Sequence, residues 1–301
     1  MRSRSSHPTA RAADDDERII SANRRAYRRL RRHMARDAPE YFNPTEQARL
    51  GAALQHAISA IAGDRDGPVR AFDVGCGGGN LTRHLLEQGC VVTAADVSPD
   101  LVEVVARRYG GDGRLSTMVL DGRTLAPVAS GSMDLVGTYS VLHHVPDYLA
   151  LVAEMCRVLR PGGVIVIDHE LSPSFWEQPS GHAELQGAVR ESVLASRRWA
   201  PVHRRWQRAL LPSTWITRAR LMRDPRYQPG GDIHVWPDDH IEWDRVADVL
   251  RACGCEVVAA EDYLAYRGEY SDEVYARFAG RLADMRLLIG RKRPDGALPA
   301  S

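Results

Sequence analysis

The stretch Phe72-Asp73-Val74-Gly75-Cys76-Gly77-Gly78-Gly79-Asn80 decides how the rest of the chain is read. Residues 71–75 form a short apolar run that reads as a strand, and residues 80–89 (NLTRHLLEQG) read as a helix ended by Gly89. Glycines between a strand and a helix let the backbone turn tightly and let a ligand approach it closely. The helix start adds oriented amide donors suited to a carboxylate or phosphate. A dinucleotide fingerprint, G-x-G-x-x-G, needs its third glycine three residues after the second. Counted from Gly75 and Gly77 that position is Asn80, so the spacing is G-x-G-x-G, with acidic Asp73 two places before the first glycine.

Outward from this loop, strands and helices alternate. Residues 91–97 (VVTAADV) read as a strand, 99–109 as a helix, and 115–121 and 133–140 as strands. Residues 147–160 read as a helix stopped by Pro161-Gly162-Gly163, followed by a strand over 164–170 (VIVIDHE). Such alternation predicts parallel strands joined by crossover helices. It breaks over residues 171–237, which carry no clear strand, five of the six tryptophans, and ten arginines against five acidic residues. It resumes with a helix over 239–252, a strand over 255–264 and a last strand near 285–291. Before the loop, residues 17–36 read as an amphipathic helix with Ile19, Tyr27, Leu30 and Met34 on one face, and a second helix covers about 45–62, starting near Asn43 or Thr45.

The predicted fold is a doubly wound, mostly parallel, seven-stranded α/β sheet of Rossmann-like type with a helical lid inserted after strand five. The divisions are a tail (1–16), N-terminal helices (17–62), a core (63–170 and 238–293), a lid (171–237) and a second tail (294–301).

Four further segments accompany the loop. Asp96 ends the second strand, and Asp121-Gly122 ends the third. Tyr139-Ser140-Val141-Leu142-His143-His144-Val145-Pro146-Asp147 follows the fourth, and Arg157-Val158-Leu159-Arg160-Pro161-Gly162-Gly163 precedes the fifth. In this order they resemble the class I S-adenosylmethionine-dependent methyltransferases, in the broad methyltransferase-domain group. The resemblance covers about residues 65–170 closely and 239–293 loosely, and it leaves out the insertion. It implies S-adenosyl-L-methionine as cofactor. By that resemblance Gly75, Cys76 and Gly77 would line the methionine moiety, and Asp73 would help hold its ammonium. Asp96 would bind the ribose, Val97 would pack on the adenine, and Asp121 and Gly122 would frame the adenine edge. Thr138 would offer a backbone carbonyl to the ammonium, and Tyr139 would sit near the sulfonium. Cys76 reads as a small loop filler, since methyl transfer from a sulfonium needs no covalent enzyme intermediate.

Displacement at such a methyl group needs the acceptor held in line at about 3–3.5 Å. A base is needed only where the acceptor carries a proton. His143 and His144 are candidates, on the side of the sheet where ligands bind. His234 and His240 form a second cluster with Asp238 and Asp239. There, Asp238 or Asp239 with Glu242 also reads as a helix N-cap with its partner. A role for His234 or His240 in the acceptor pocket is favoured over a metal held by His234, Asp238 and His240, and no metal is assigned. The lid's tryptophans and arginines suit an anionic or aromatic small molecule, or else form the lid's own core with solvated arginines. Tyr27 and Tyr41 are the expected contacts from the N-terminal helix.

Composition sets outer bounds. Net charge is +1, so bulk charge points to no nucleic-acid partner. No apolar run is long enough for a transmembrane helix, and residues 1–17 lack the apolar centre of a secretory signal. Five cysteines without a CxxC pair suggest neither zinc nor disulfides and fit a reducing cytoplasm. The leading expectation is a small-molecule methyltransferase acting on oxygen, nitrogen or carbon. The alternatives are an RNA-directed methyltransferase, a non-catalytic cofactor-binding scaffold, and a nicotinamide oxidoreductase, which the glycine spacing disfavours. Oligomeric state is left open between monomer and homodimer.

Overall fold

A computed structural model describes residues 17–22, 24, 43–61, 66–196, 222 and 231–294. In chain order its elements are α1 (Pro44–Ser59), β1 (Arg70–Val74), α2 (Asn80–Glu87), β2 (Val91–Asp96), α3 (Pro99–Tyr109), β3 (Leu115–Val119) and β4 (Met133–Tyr139). After a single 3-10 turn at Leu142–His144 come α4 (Tyr148–Val158), β5 (Leu159–Leu171), α5 (Pro173–Glu177), α6 (Pro179–Ser196), β6 (Val235–Trp236) and β7 (Asp239–His240). The chain continues through α7 (Trp243–Ala252), β8 (Cys255–Tyr263), α8 (Asp272–Phe278) and β9 (Met285–Lys292).

Seven strands form one sheet in the order β3-β2-β1-β4-β5-β9-β8. The neighbours from β3 to β5 pair in parallel, and β9 runs antiparallel to both β5 and β8. The expected doubly wound, seven-stranded architecture is therefore present. Period-two alternation divides the central strands between two cores. Val164 and Val166 face Leu50 and Leu54 of α1 and Leu81 and Leu85 of α2. Ile165 and Ile167 face Val152 and Met155 of α4 and Val246 and Leu250 of α7. Helices on both faces bury the strands on both sides, which is why residues 164–167 are an unbroken apolar run.

Strand β5 has one irregularity that matters for the site. Its pairing with β9 shifts between Ile167 and Glu170, and His169 takes φ 64. Asp168 continues the face of Val164 and Val166, meeting Arg49 Nη2 at 3.1 Å and Tyr263 Oη at 2.9 Å. Without the bulge Glu170 would follow it. Instead Glu170 lies on the opposite side, under the turn after β4.

Helix α4 is shorter than the 147–160 span expected, because Leu159 already has extended backbone. Its last carbonyls lack helical partners. Lys292, the sole lysine of the chain, supplies one by donating to the carbonyls of Cys156 (2.8 Å) and Leu159 (2.9 Å).

Three expectations need correction. The helix expected over 239–252 starts only at Trp243, and Asp239-His240 pairs with Val235-Trp236 as a two-stranded hairpin. Pro237-Asp238 supplies the turn chemistry for that reversal. A short strand thus exists within the insertion that was read as strandless. The capping pair also fails, since the N-cap is Glu242 and makes no side-chain capping bond. Helix α8 was not foreseen; Ser271 caps it by accepting from the Val274 N–H.

The described part of the insertion is helical before the hairpin, as expected. Leu185 of α6 packs with Leu264 and Phe278 in a small separate core over the β8–β9 connection. Trp199, Trp206 and Trp215 of the lid, residues 1–16 and 295–301 of the tails, and Tyr27 and Tyr41 lie outside the described residues. All five cysteines are free thiols. Among the described residues no helix is long and apolar enough to cross a membrane.

Candidate active site

Strands β1 and β4 are neighbours whose crossovers leave in opposite directions, so a crevice opens beyond their carboxyl ends. A cavity of about 1660 Å³, counting its open mouth, occupies it. Residues 73–81 form one wall, and Tyr139, Ser140, Val141 and His144 form the opposite one. Asp96 and Val97 close the β2 side, while Leu120 and residues 122–125 close the β3 side. From the N-terminal segment, Ile20 lies over the cavity, and Arg24 Nε donates to the Val97 carbonyl at 2.9 Å.

The glycine wall is a backbone surface. Gly75 has φ 72, and a Cβ there would stand 2.6 Å from Val141 Cγ2. Gly77, at φ 50, donates its N–H to Asp96 Oδ2 at 2.9 Å, and Ser98 N–H donates to Asp96 Oδ1 at 2.8 Å. The loop and the end of β2 are thereby locked together. Burial raises the Asp96 carboxyl, while these backbone donors oppose the rise. Asp73 is buried, with Oδ2 accepting from Thr82 Oγ1 at 2.5 Å and Oδ1 without a hydrogen-bond partner. Burial pushes its carboxyl up to about 7, against the pull of Thr82. The Cys76 thiol is raised well above its usual range by burial, with Asp73 and Asp96 adding to the effect, so it is a protonated filler.

The β4 wall is built from side chains. Tyr139 lines the cavity and stacks on His169, ring centroids 4.7 Å apart. Ser140 takes φ 60 and donates its N–H to the Asp168 carbonyl at 2.9 Å. Glu170 Oε1 accepts the Val141 and Leu142 N–H groups, both at 2.7 Å, and its Oε2 lies 2.7 Å from His143 Nδ1. Burial disfavours charge on His143, but Glu170 outweighs it and the net shift is upward. His144 is held well below its usual range by burial and by His143 beside it. Asp232 Oδ1 stands 3.2 Å from His144 Nδ1.

The expected site residues therefore divide. Asp73, Gly75, Cys76, Gly77, Asp96, Val97, Gly122, Tyr139 and His144 line one cavity. Thr138 and Asp121 do not. Thr138 is fully buried within β4, and Ser140 and Val141 take the wall beyond it. Asp121 is exposed and turned back on its own loop, where Oδ1 accepts the Arg123 and Thr124 N–H groups at 2.8 and 2.9 Å. His143 is behind the wall, on Glu170. His234 and His240 belong to a second opening with Tyr148, Asp238, Asp239 and Arg245, which shares Pro146 with the first. Both ring nitrogens of His234 are engaged, Nδ1 with Asp239 at 2.5 Å and Nε2 with the Val145 carbonyl at 3.1 Å. In the set His234, Asp238 and His240, His234 has both nitrogens committed to Asp239 and Val145. Sequence reasoning missed Gln47, Arg83 and Tyr109 in the lining, and also Glu170 and Asp232. Glu170 carried no local signal, because its role depends on the β5 bulge.

Residues 72–167 match the family model described as a methyltransferase domain. A ubiquinone biosynthesis O-methyltransferase from Xanthomonas oryzae pv. oryzae is 39% identical over 101 residues, 33% of this chain and 42% of the relative. The relative of that name from Xanthomonas campestris pv. campestris is 38% identical over the same shares. This chain thus matches less than half the length of these curated relatives. Among solved structures, a chain from the complex between the Trm112 methyltransferase activator and a methyltransferase of Haloferax volcanii has TM-score 0.50 at 17% identity, covering 82% of this chain and 92% of that one. One named as a sarcosine dimethylglycine methyltransferase from Galdieria sulphuraria has TM-score 0.50 at 13% identity, covering 82% and 85%. At these identities the two structures speak to the fold alone.

Proposed function

We propose, from the premise that residues 72–167 form a methyltransferase domain of the class I S-adenosylmethionine-dependent type, that the chain binds S-adenosylmethionine in the β1/β4 crevice and methylates a small-molecule acceptor. The observation that carries the reading is the convergence of the G-x-G-x-G loop, Asp73 and Asp96 on one cavity. Their chemistry fits the cofactor. The partnerless, buried Asp73 Oδ1 suits an ammonium group. The Gly75 cradle, which a Cβ would fill, suits close backbone approach. Asp96 spends one lone pair of each oxygen on Gly77 and Ser98 and keeps the others for ribose hydroxyls. Val97 and Leu120 offer apolar walls to a base.

Bound, the cofactor supplies a methyl group already activated on a sulfonium. The chain's own task is to hold an acceptor against it and to exclude water. Tyr139, Ser140 and His144 are the polar side chains that line the β4 side of the cavity. Burial and the neighbouring His143 keep the His144 imidazole neutral, which suits it to orienting an acceptor by hydrogen bonding rather than to carrying a proton. Oxygen is the favoured acceptor atom, supported by the O-methyltransferase relatives. The second opening, which meets the cavity at Pro146, is the route we assign to the acceptor. Titration calorimetry with S-adenosylmethionine, S-adenosylhomocysteine and NADH tests the reading. Binding of the first two and not the third is expected; the reverse result sinks it.

A further inference from the structure

We propose that His143, His144 and Asp232 form a site for one divalent transition-metal ion at the edge of the cofactor cavity. Each offers one donor atom, and the three atoms lie within 4.8 Å of one another. Asp232 Oδ1 is 3.2 Å from His144 Nδ1 and 4.0 Å from His143 Nε2. Donors about 2.0–2.1 Å from a tetrahedral ion stand roughly 3.3 Å apart, so the two Asp232 pairs need less than an ångström of closure, and the trio as a whole at most about 1.5 Å.

The surroundings prepare these donors. Glu170 receives His143 at Nδ1, so the ring's Nε2 is the nitrogen turned toward Asp232. A carboxylate behind a histidine is the usual way to fix a metal-binding imidazole and strengthen it as a ligand. Glu170 is itself held by the Val141 and Leu142 N–H groups. Asp232 is fastened across from the pair, because the Ile233 and His234 N–H groups both donate to the His143 carbonyl, at 2.9 and 3.2 Å. His143 and His144 keep 17% and 11% of their side-chain surface, and Asp232 keeps 34%, so the trio is reachable without being solvated. With neutral imidazoles, Glu170 and Asp232 leave two negative charges, which one divalent ion balances.

Two imidazoles and one carboxylate select an ion of the zinc, iron(II) or cobalt(II) class over calcium or magnesium. Three protein donors also leave positions open for an oxygen ligand. Under the proposed function, on which this last step rests, that ligand is the acceptor's hydroxyl. The ion would lower its pKa, its proton would go to water, and His144 would act as ligand in place of base.

The test uses the full chain, stripped with a chelator and titrated with cobalt(II). One equivalent with a visible ligand-field band is expected. Asp232→Asn should abolish the band with melting temperature retained, His143→Ala should abolish it with some loss of stability because Glu170 loses its partner, and Glu170→Gln should weaken affinity about 10- to 100-fold. His56→Ala, on the exposed end of α1, should leave it intact. Absence of the band, or its persistence in both Asp232→Asn and His143→Ala, overturns the proposal. S-adenosylmethionine binding, measured on the stripped protein, keeps the two readings apart: it is expected to survive, and failure of either titration does not touch the other.

Discussion

The two walls of the crevice are made of different material. The β1 wall presents backbone and is local: Asp73 to Asn80 lie within eight residues, and Asp96 joins them through one N–H. The β4 wall presents side chains and is assembled from afar, with His144 in the lining faced by Asp232, and His143 behind it held by Glu170. A backbone surface needs glycines at fixed spacing, and spacing is visible in a sequence. A side-chain surface needs distant residues brought together by register, and register is not. The difference predicts which changes should be severe and what they should damage.

The largest effect should come from Gly75→Ala. The new Cβ would meet Val141 Cγ2 at 2.6 Å while the backbone stays at φ 72. The expected cost is about 2–4 kcal/mol of stability, with cofactor affinity lost, by thermal melting and calorimetry. Adding Val141→Ala should relieve the clash and leave only the conformational part, about 1 kcal/mol. Full recovery in the double variant would show that the glycine is needed for space alone.

Next is Asp96→Ala. It removes the acceptor that ties Gly77 to β2 along with the proposed ribose contact. A loss of about 1.5–3 kcal/mol in cofactor binding is expected, roughly 10- to 100-fold. Unchanged affinity would remove Asp96 from the binding role.

Asp73 gives a pH signature. Its carboxyl is raised to about 7 in the folded protein, mainly by burial. The proton is held longer folded than unfolded, so the stability it contributes is full below about pH 4. That contribution falls as pH rises and is lost through about 7. Asp73→Asn should flatten the melting temperature over this window. A bound ammonium favours the carboxylate, so wild-type affinity for S-adenosylmethionine should rise toward neutral pH, and the variant's should not. Parallel pH curves for the two proteins would argue against an ammonium contact.

The smallest effect should be Asp121→Asn. Asparagine keeps the Oδ1 that accepts from Arg123 and Thr124, so a change within about 0.5 kcal/mol in stability and affinity is expected. A tenfold loss of affinity would restore the carboxylate to the adenine edge.

The sheet was legible because both faces are covered, which turns central strands into apolar runs bounded by turn residues. Asp73, Gly75, Gly77 and Asp96 were legible for the same kind of reason: each follows directly from a strand end. Asp121 falls outside the lining because an aspartate before glycine serves a turn as readily as a ligand. Residues 239–242 misled because capping residues and turn residues share a chemistry, and Pro237-Asp238 closed a hairpin instead. Glu170 was beyond reading, since a strict two-residue period places it beside Asp168, on the face of Arg49. Only the bulge at His169 moves it across.

Lys292 has a practical consequence. With a single ε-amine in the chain, and that amine donating to the carbonyls of Cys156 and Leu159, acylating reagents have one internal target. Its modification requires the amine to let go of those two carbonyls. The rate of that reaction therefore reports how readily the amine leaves the end of α4, readable by mass without any engineered label.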